Sequence, residues 1–305
     1  MTSSEIAERL RSRIAGRVEV DAPLAPFTTF RVGGPADVMV EAESEDDLRA
    51  IAELRGELPI AIVGRGSNLL VSDEGFRGIA VRLGRGFRDH ERTEHGLLLG
   101  GSVQLPAAAR LTARFGLSGF EFAAEIPATF GGAVRMNAGA HGRCMADVLV
   151  WASVVDLATG DVRRKSVGEL GYVYRHSDLS ALDVVTRGEI RLDEADGVEV
   201  GVRIAEFLRW RRENQPPGRS AGSIFKNPDG DSAGRLIDDA GLKGLAVGGA
   251  QVSAVHANFI VATPDATAKD VWTLIHRMRS AVGDNAGVDL EPEVRFLGAF
   301  PEVEG

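Results

Sequence analysis

The segment IAIVGRGSNLL, residues 60–70, constrains the fold of this chain more than any other. An apolar run leads directly into Gly64 and Gly66, as a strand does when it ends in a nucleotide-binding loop. A Rossmann loop needs a third glycine and then a helix whose N-terminus faces the pyrophosphate. Here Leu69 stands where that glycine belongs, and LLVSDEGFRG follows, an apolar stub and a turn with no helical period. The Rossmann reading fails on both counts. What remains is a G-x-G-S-N turn whose successive backbone N–H groups can converge on one anion, with the Ser67 hydroxyl and the Asn68 amide as further donors. A plain turn would carry the same five residues.

A second glycine-rich segment, EIPATFGGAVRMNAGAHG (125–142), shifts the balance. Gly131, Gly132, Gly139 and Gly142 lie among small residues, so the segment buries few side chains of its own. Its backbone is expected to lie against a large flat ligand or another chain segment. Two such segments joined by strands can clamp the two ends of one dinucleotide.

Around these loops the chain alternates strand and helix signals. VMVEA (38–42), LPIAIV (58–63) and GIAVRL (78–83) read as strands. SEDDLRAIAELRG (44–56) reads as a helix capped by Ser44 with Leu48, Ile51 and Ala52 inward. Thr2 and Glu5 form a possible capping box for a first helix with Ile6, Leu10 and Ile14 on one face. The middle third is strand-rich (GLLLGG, VLVWASVVDL, DVVTRGEIRL), with one helix at about 104–115. A long helix over 198–214 ends at Pro216-Pro217-Gly218. Helices at about 232–240 and 268–283 and strands at 257–262 and 288–297 complete the chain. Thr267 is the expected cap of the helix over 268–283, with Val271, Leu274, Ile275, Met278 and Val282 as its core face. The acidic stretch 195–201 marks the expected domain boundary. Expected domains are an α/β lobe at 1–83, a strand-rich lobe at 84–197 and a C-terminal domain at 198–305.

Several function classes are disfavoured. Net charge is −9 and there is no long basic block, so nucleic acid is not an expected partner. Arg209, Arg211 and Arg212 cluster beside Glu206 and Glu213, as on a solvated helix face. The single cysteine, Cys144, excludes an intramolecular disulfide and any CxxC zinc site, so no metal is expected. A reducing cytoplasm is the expected setting. The start MTSSEIAERLRSRIAG has no apolar signal core, and no stretch approaches the length of a membrane span. No membrane association and no protein partner are implied.

Eight blocks in register carry a resemblance: TTFRVGGPAD (28–37), VGRGSNLLVSDEGFRG (63–78), IPATFGGAVRMNAGAHG (126–142), YRHSDL (174–179), AGSIFKNP (221–228), LIDDAGLKGLAVGGAQVS (236–253), HANFIV (256–261) and LEPEVRFLG (290–298). Together they resemble the UDP-N-acetylenolpyruvoylglucosamine reductases, flavoenzymes that make UDP-N-acetylmuramate for peptidoglycan. The short spacing between AGSIFKNP and LKGLAVGG is similar to that of the compact type II members. The resemblance implies an α+β chain. Two lobes form an FAD-binding fold of the vanillyl-alcohol-oxidase/PCMH type, and a C-terminal α+β substrate domain follows. It also implies non-covalent FAD, NADPH as co-substrate, and a UDP-sugar enolpyruvate as the small-molecule partner.

The implied reaction reduces an enol ether: hydride comes from reduced flavin, an enolate-like charge develops beside the carboxylate, and a proton must arrive at the other carbon. Ser223 matches the family's proton donor. Arg175 matches the arginine that bridges carboxylate and enolate oxygens. Glu291 and Glu293 lie two apart, and spacing alone cannot choose between them. The resemblance assigns Glu293. Implied FAD contacts are Gly64, Arg65, Gly66, Ser67, Asn68 and Leu69 in the first loop. Ile126, Pro127, Gly132, Ala138 and Gly139 supply contacts in the second, and Arg295 follows the glutamate. Tyr174, Arg212, Lys226 and Asn227 are the implied sugar-nucleotide contacts. Gln215 replaces a lysine of some members. Glu125 and Ala128 replace glycines common in the family's turn, Arg135 replaces an apolar residue, and His141 a frequent tyrosine. A related FAD oxidoreductase with another substrate is the alternative; it would not need AGSIFKNP and LEPEV together.

Overall fold

A computed structural model of the chain describes residues 2–302. Its first third runs α1 (Ser3–Arg11), β1 (Arg17–Pro23), β2 (Pro35–Ala42), α2 (Glu45–Leu54), β3 (Ile60–Ile62), β4 (Leu69–Val71) and β5 (Phe76–Leu83). Then come β6 (His90–Thr93), β7 (Gly96–Gly100), α3 (Leu105–Phe115), α4 (Phe130–Met136), α5 (Gly197–Asn214), α6 (Ala233–Asp239) and α7 (Ala268–Ala286), with further strands between them.

The chain divides into two compact units. One contains residues 1–21, 37–65 and 78–211; the other contains 22–36, 66–77 and 212–305. The expected linear partition at 83/84 and 197/198 does not coincide with this division. Two apolar clusters lie in the first unit, and neither follows the expected bounds: Val155, Leu157 and Val184 join the first, while Phe30, Val32 and Leu70 belong to the second unit's core.

One cluster gathers Ile6, Leu10, Val38, Leu48, Ile51 and Val81. It lies beneath a four-stranded sheet of order β1-β2-β5-β3, in which β3 runs parallel to β5. Thr2 and Glu5 do form a capping box on α1. Ile14 lies beyond the end of that helix, packed on the cluster only in part. Ser44 caps α2 by accepting from the Asp47 N–H at 3.1 Å. On α2, Ala50 and Leu54 are buried with Leu48 and Ile51, whereas Ala52, expected inward, is only half-buried. The strand expected at 58–63 shrinks to three half-buried residues, Ile60–Ile62, because it takes the edge of the sheet.

The other cluster forms on a five-stranded antiparallel sheet, whose central pair is Leu149–Asp156 against Asp183–Arg191. α3 and α4 contribute Leu105, Ala109, Phe130 and Val134 to it, and α5 contributes Val200 and Ile204. α5 thus packs on the strand-rich lobe through residues that the sequence reading places in the C-terminal domain.

The second unit is built on α7. Val271, Leu274, Ile275, Met278 and Val282 are fully buried, as their spacing predicts. They pack with Ile224, Phe225, Ile237 and Ile260, and with Phe30, Val32 and Leu70 from the first third of the chain. The strands expected at 257–262 and 288–297 contract to Ile260–Ala262 and Arg295–Leu297. The Thr267 hydroxyl accepts from Asp270 N–H at 3.0 Å, and the Asp270 carboxylate accepts from Thr267 N–H at 3.0 Å and Gly249 N–H at 3.1 Å. Thr267→Ala is expected to lower stability by about 1 kcal/mol, read as a lower unfolding midpoint followed by Trp272 fluorescence. Burial opposes ionisation of Asp270, but the Thr267 and Gly249 hydrogen bonds outweigh it and hold the carboxyl below its ordinary range. A depressed folded pKa means the contribution of Asp270 is complete above the ordinary carboxyl pKa and is lost as pH falls below it. The Thr267→Ala deficit should therefore narrow in acid.

Candidate active site

The 64–68 loop is followed by β4 and not by a helix, in agreement with the spacing. Gly66 has φ +63°, and a Cβ there would stand 2.1 Å from the Phe27 carbonyl oxygen. Its own carbonyl accepts from Thr29 N–H at 3.2 Å. Among the described residues, no acceptor takes the N–H of Gly64, Arg65, Gly66, Ser67 or Asn68, and the Ser67 hydroxyl has no hydrogen-bond partner. Consecutive unclaimed donors in a turn are what an anion nest presents. The Asn68 amide is less available than expected: its Nδ2 donates to the Glu293 carbonyl at 3.0 Å, leaving one N–H. The Asn68 carbonyl accepts from Arg295 N–H at 3.0 Å. Arg65 donates through Nη1 to Gln104 Oε1 at 2.7 Å.

Within the 125–142 segment the structure has a helix that the sequence reading did not place. This is α4, capped by Thr129, whose hydroxyl accepts from Gly132 N–H at 3.3 Å. Gly131 serves packing, since a Cβ there would lie 2.9 Å from the Val185 carbonyl. Gly64 backs onto the same cap: its Cβ would stand 2.9 Å from Thr129 Oγ1. α4 ends at Asn137, φ +42°, which accepts from Ala146 N–H at 2.9 Å and donates to the Val173 carbonyl at 3.1 Å. Ala128 is absent from the positive-φ residues, so alanine carries no strain there. Arg135 donates to the carbonyls of Ser180 (2.9 Å) and Asp183, pinning the chain just beyond Arg175. That departure from the family pattern is structural.

Arg175 sits in the left-handed region, φ +56°, a costly conformation for arginine. Its Nη2 donates to the Gly139 carbonyl at 3.2 Å and its guanidinium carbon lies 4.9 Å from the Tyr174 ring centroid. Asn137 holds the neighbouring Val173. In the first unit Gly64 and Gly132 thus meet Thr129 at the start of α4, and Arg175, beside Tyr174, meets Gly139 beyond its end, with Ile126, Pro127 and Ala138 flanking the helix.

In the second unit, residues 223–226 pair with 291–294. Lys226 N–H donates to the Glu291 carbonyl at 2.9 Å, and Glu293 N–H to the Ile224 carbonyl at 2.8 Å. Ser223 and Glu293 therefore lie on adjacent segments. The Ser223 hydroxyl has no hydrogen-bond partner among the described residues. The Glu291 carboxylate meets Lys226, whose Nζ lies 2.6 Å from Glu291 Oε1. Asn227 Oδ1 accepts from Ala233 N–H at 3.1 Å, at the start of α6. Arg212 is exposed. Sequence reasoning gave Asn258 no role, yet it is 2% exposed and makes two side-chain bonds to Phe225, from N–H at 3.0 Å and to C=O at 2.8 Å. A buried asparagine in HANFIV was its only signal.

Five unclaimed N–H groups beside glycines that admit no side chain suit the diphosphate of FAD. Residues 36–166 match the family described as FAD binding domain, and residues 213–297 match that of the UDP-N-acetylenolpyruvoylglucosamine reductase C-terminal domain. The fold is similar to a wild-type Phl p 4.0202, a glucose dehydrogenase, at TM-score 0.50 and 13% identity over 72% of this chain and 52% of that one. Fold and site together define a flavoprotein oxidoreductase of the vanillyl-alcohol-oxidase/PCMH type with a C-terminal α+β domain.

A UDP-N-acetylenolpyruvoylglucosamine reductase 2 from Symbiobacterium thermophilum is 45% identical over 98% of both chains. The reductase of Acidiphilium cryptum is 42% identical over 93% of both. The crystal structure of the Thermus caldophilus reductase matches at TM-score 0.82 and 41% identity over 93% of this chain and 100% of that one. The chain belongs to the UDP-N-acetylenolpyruvoylglucosamine reductase family.

Proposed function

We propose that Arg175, Ser223 and Glu293 supply the chain's own chemistry in its family reaction, the NADPH-dependent reduction of UDP-N-acetylglucosamine enolpyruvate to UDP-N-acetylmuramate. Bound FAD supplies hydride transfer. Gly64 to Leu69 would hold its diphosphate region, with Ile126, Pro127, Gly132, Ala138, Gly139 and Arg295 as further contacts. Arg175 offers paired donors to the substrate carboxylate and to the oxygen charge that develops beside it. Its left-handed backbone and its bond to Gly139 fix it before substrate arrives. Ser223 delivers the proton. A serine hydroxyl is a weak acid, so it serves only a strongly basic carbanion in a site closed to water. Glu293, anchored by its backbone to Ile224, orients the reacting groups. Lys226 exchanges Glu291 for the substrate diphosphate, and Tyr174, Arg212 and Asn227 complete the sugar-nucleotide contacts.

The observation that carries this assignment is the unpartnered Ser223 hydroxyl on a segment hydrogen-bonded to that of Glu293. The free thiol of Cys144 and water-soluble substrates fit a cytoplasmic setting. Among the described residues no helix is long and apolar enough to cross a membrane.

NADPH oxidation should depend on UDP-N-acetylglucosamine enolpyruvate. Arg175→Ala and Glu293→Gln should each cut that rate by about 100-fold or more while FAD content stays near wild type. Equal losses of FAD and rate would reassign both residues to structure, and oxidation indifferent to the sugar nucleotide would favour another FAD oxidoreductase activity.

A further inference from the structure

Among the described residues four acidic side chains are buried: Asp47, Glu121, Glu125 and Asp183. The protein itself answers three of them. Asp47 accepts from the N–H groups of Ala15 (3.0 Å), Gly16 (3.0 Å) and Glu43 (2.8 Å). Glu121 takes Arg203 Nε at 3.0 Å and the Ser118 hydroxyl at 3.1 Å on one oxygen, and Gly119 N–H at 2.8 Å on the other. Asp183 accepts from Ser180 N–H at 2.8 Å.

Glu125 differs. Its Oε1 lies 3.0 Å from His141 Nε2, but its Oε2 is buried and meets no donor among the described residues. A buried carboxylate oxygen without a donor loses its hydration for nothing, so such an oxygen calls for a ligand. His141 is not placed to cover it. The imidazole lies flat on Phe207, centroids 4.0 Å apart at 9°, and edge-on to Trp210 at 5.1 Å. Its backbone is left-handed, φ +51°. Phe207, Trp210 and Arg211 come from one face of α5, and Arg211 feels the Glu125 charge without bonding it. Glu125 is thus held at one oxygen by His141 on its aromatic backing, while its other oxygen is buried without a donor among the described residues. It immediately precedes Ile126 and Pro127, on the segment whose Thr129 cap backs onto Gly64.

We propose that Glu125 is an FAD-binding residue of this chain, its Oε2 accepting a hydrogen bond from a hydroxyl or N–H group of the cofactor, with His141 as its positioning residue. The inference rests on the reading that the 126–139 segment lines the cofactor. Charge decides which part of FAD is involved. The diphosphate is anionic and a carboxylate repels it, whereas the sugar-alcohol hydroxyls and ring N–H groups are donors that a carboxylate accepts well.

The test compares FAD dissociation constants of Glu125→Ala, Glu125→Gln and Gly132→Val holoenzymes with wild type, from flavin fluorescence released on dilution. Unfolding midpoints are measured at saturating FAD. Glu125→Ala is expected to weaken FAD binding by about 10- to 100-fold, the range for a hydrogen bond to a charged group. Glu125→Gln, which keeps an acceptor and the shape, should weaken it several-fold. At saturating FAD the midpoints of both should return to within a few degrees of wild type, because neither removes a bond that the fold needs. An unchanged dissociation constant in both Glu125 variants, with Gly132→Val weakened, overturns the Glu125 assignment and leaves the lining intact. If Gly132→Val is unchanged as well, the lining reading and this inference fall together. A midpoint that stays low at saturating FAD, with unchanged affinity, makes Glu125 a structural residue and also overturns the proposal.

Discussion

Ser223→Ala is expected to keep its FAD, bind the sugar nucleotide with near-normal affinity, oxidise NADPH in a single turnover, and lose about 10²- to 10⁴-fold in steady-state rate, the usual range for a positioned proton donor. The structure makes this a clean substitution. The Ser223 hydroxyl has no hydrogen-bond partner among the described residues, so alanine removes no bond that holds the fold. The neighbouring backbone stays fixed by Asn258, whose side chain bonds both the N–H and the C=O of Phe225. Ile224 and Phe225 remain buried in the C-terminal core. What alanine removes is the hydroxyl proposed to donate the proton to carbon. If Ser223→Ala turns over within about 3-fold of wild type, a margin well below the range for a lost general acid, the proton comes from elsewhere. Proportional loss of FAD and rate would instead make the residue structural.

The sequence-legible parts of this molecule are the local ones. The α7 face and its Thr267 cap follow from a 3.6-residue period and a capping residue, both readable within one turn of helix. The Ser44 cap of α2 and the Thr2–Glu5 box are local in the same way. The absence of a helix after Gly66 followed from spacing alone. α4 was illegible because its glycine is set by a distant partner: the Val185 carbonyl crowds a Cβ at Gly131, so that glycine packs against another chain segment, one of the two neighbours expected, and its position carries no helix signal. The strands near 58–63 and 288–297 overran because apolar content does not report where pairing stops. Before Arg295 the 288–297 stretch pairs only as an isolated bridge from Pro292 to Phe225. The Glu125–His141 pair and the Asn258 clamp join residues 16 and 33 positions apart, and no periodicity carries such contacts. The identities of cofactor and substrate came from eight blocks in register, not from any pattern of polarity.

Gly66→Val is expected to abolish FAD binding while leaving the C-terminal unit folded. Two independent constraints act on the one residue. Its φ of +63° is costly for any L residue and worst for a β-branched one. Its Cβ would also stand 2.1 Å from the Phe27 carbonyl oxygen and 2.7 Å from Thr28 Cα, both backbone atoms that cannot rotate aside. Relief requires the 64–68 turn to change course, which redirects its N–H groups. If the turn holds the FAD diphosphate as proposed, redirecting it removes several charge-assisted hydrogen bonds at once. A loss of affinity of about 1000-fold or more follows from two such bonds, seen as colourless purified protein and no saturable FAD binding. Ser67→Ala, which deletes one hydroxyl and leaves the backbone course intact, should weaken FAD by only about 10-fold. Trp272 reports the C-terminal unit through its stacking on Phe300, centroids 4.6 Å apart, and should keep its native emission in Gly66→Val. Leu70 belongs to the same core, so a modest drop in midpoint is expected there. A Gly66→Val protein that purifies yellow with full FAD occupancy would mean that the diphosphate lies elsewhere. Loss of the Trp272 signal together with FAD would mean that Gly66 serves the fold before it serves the cofactor.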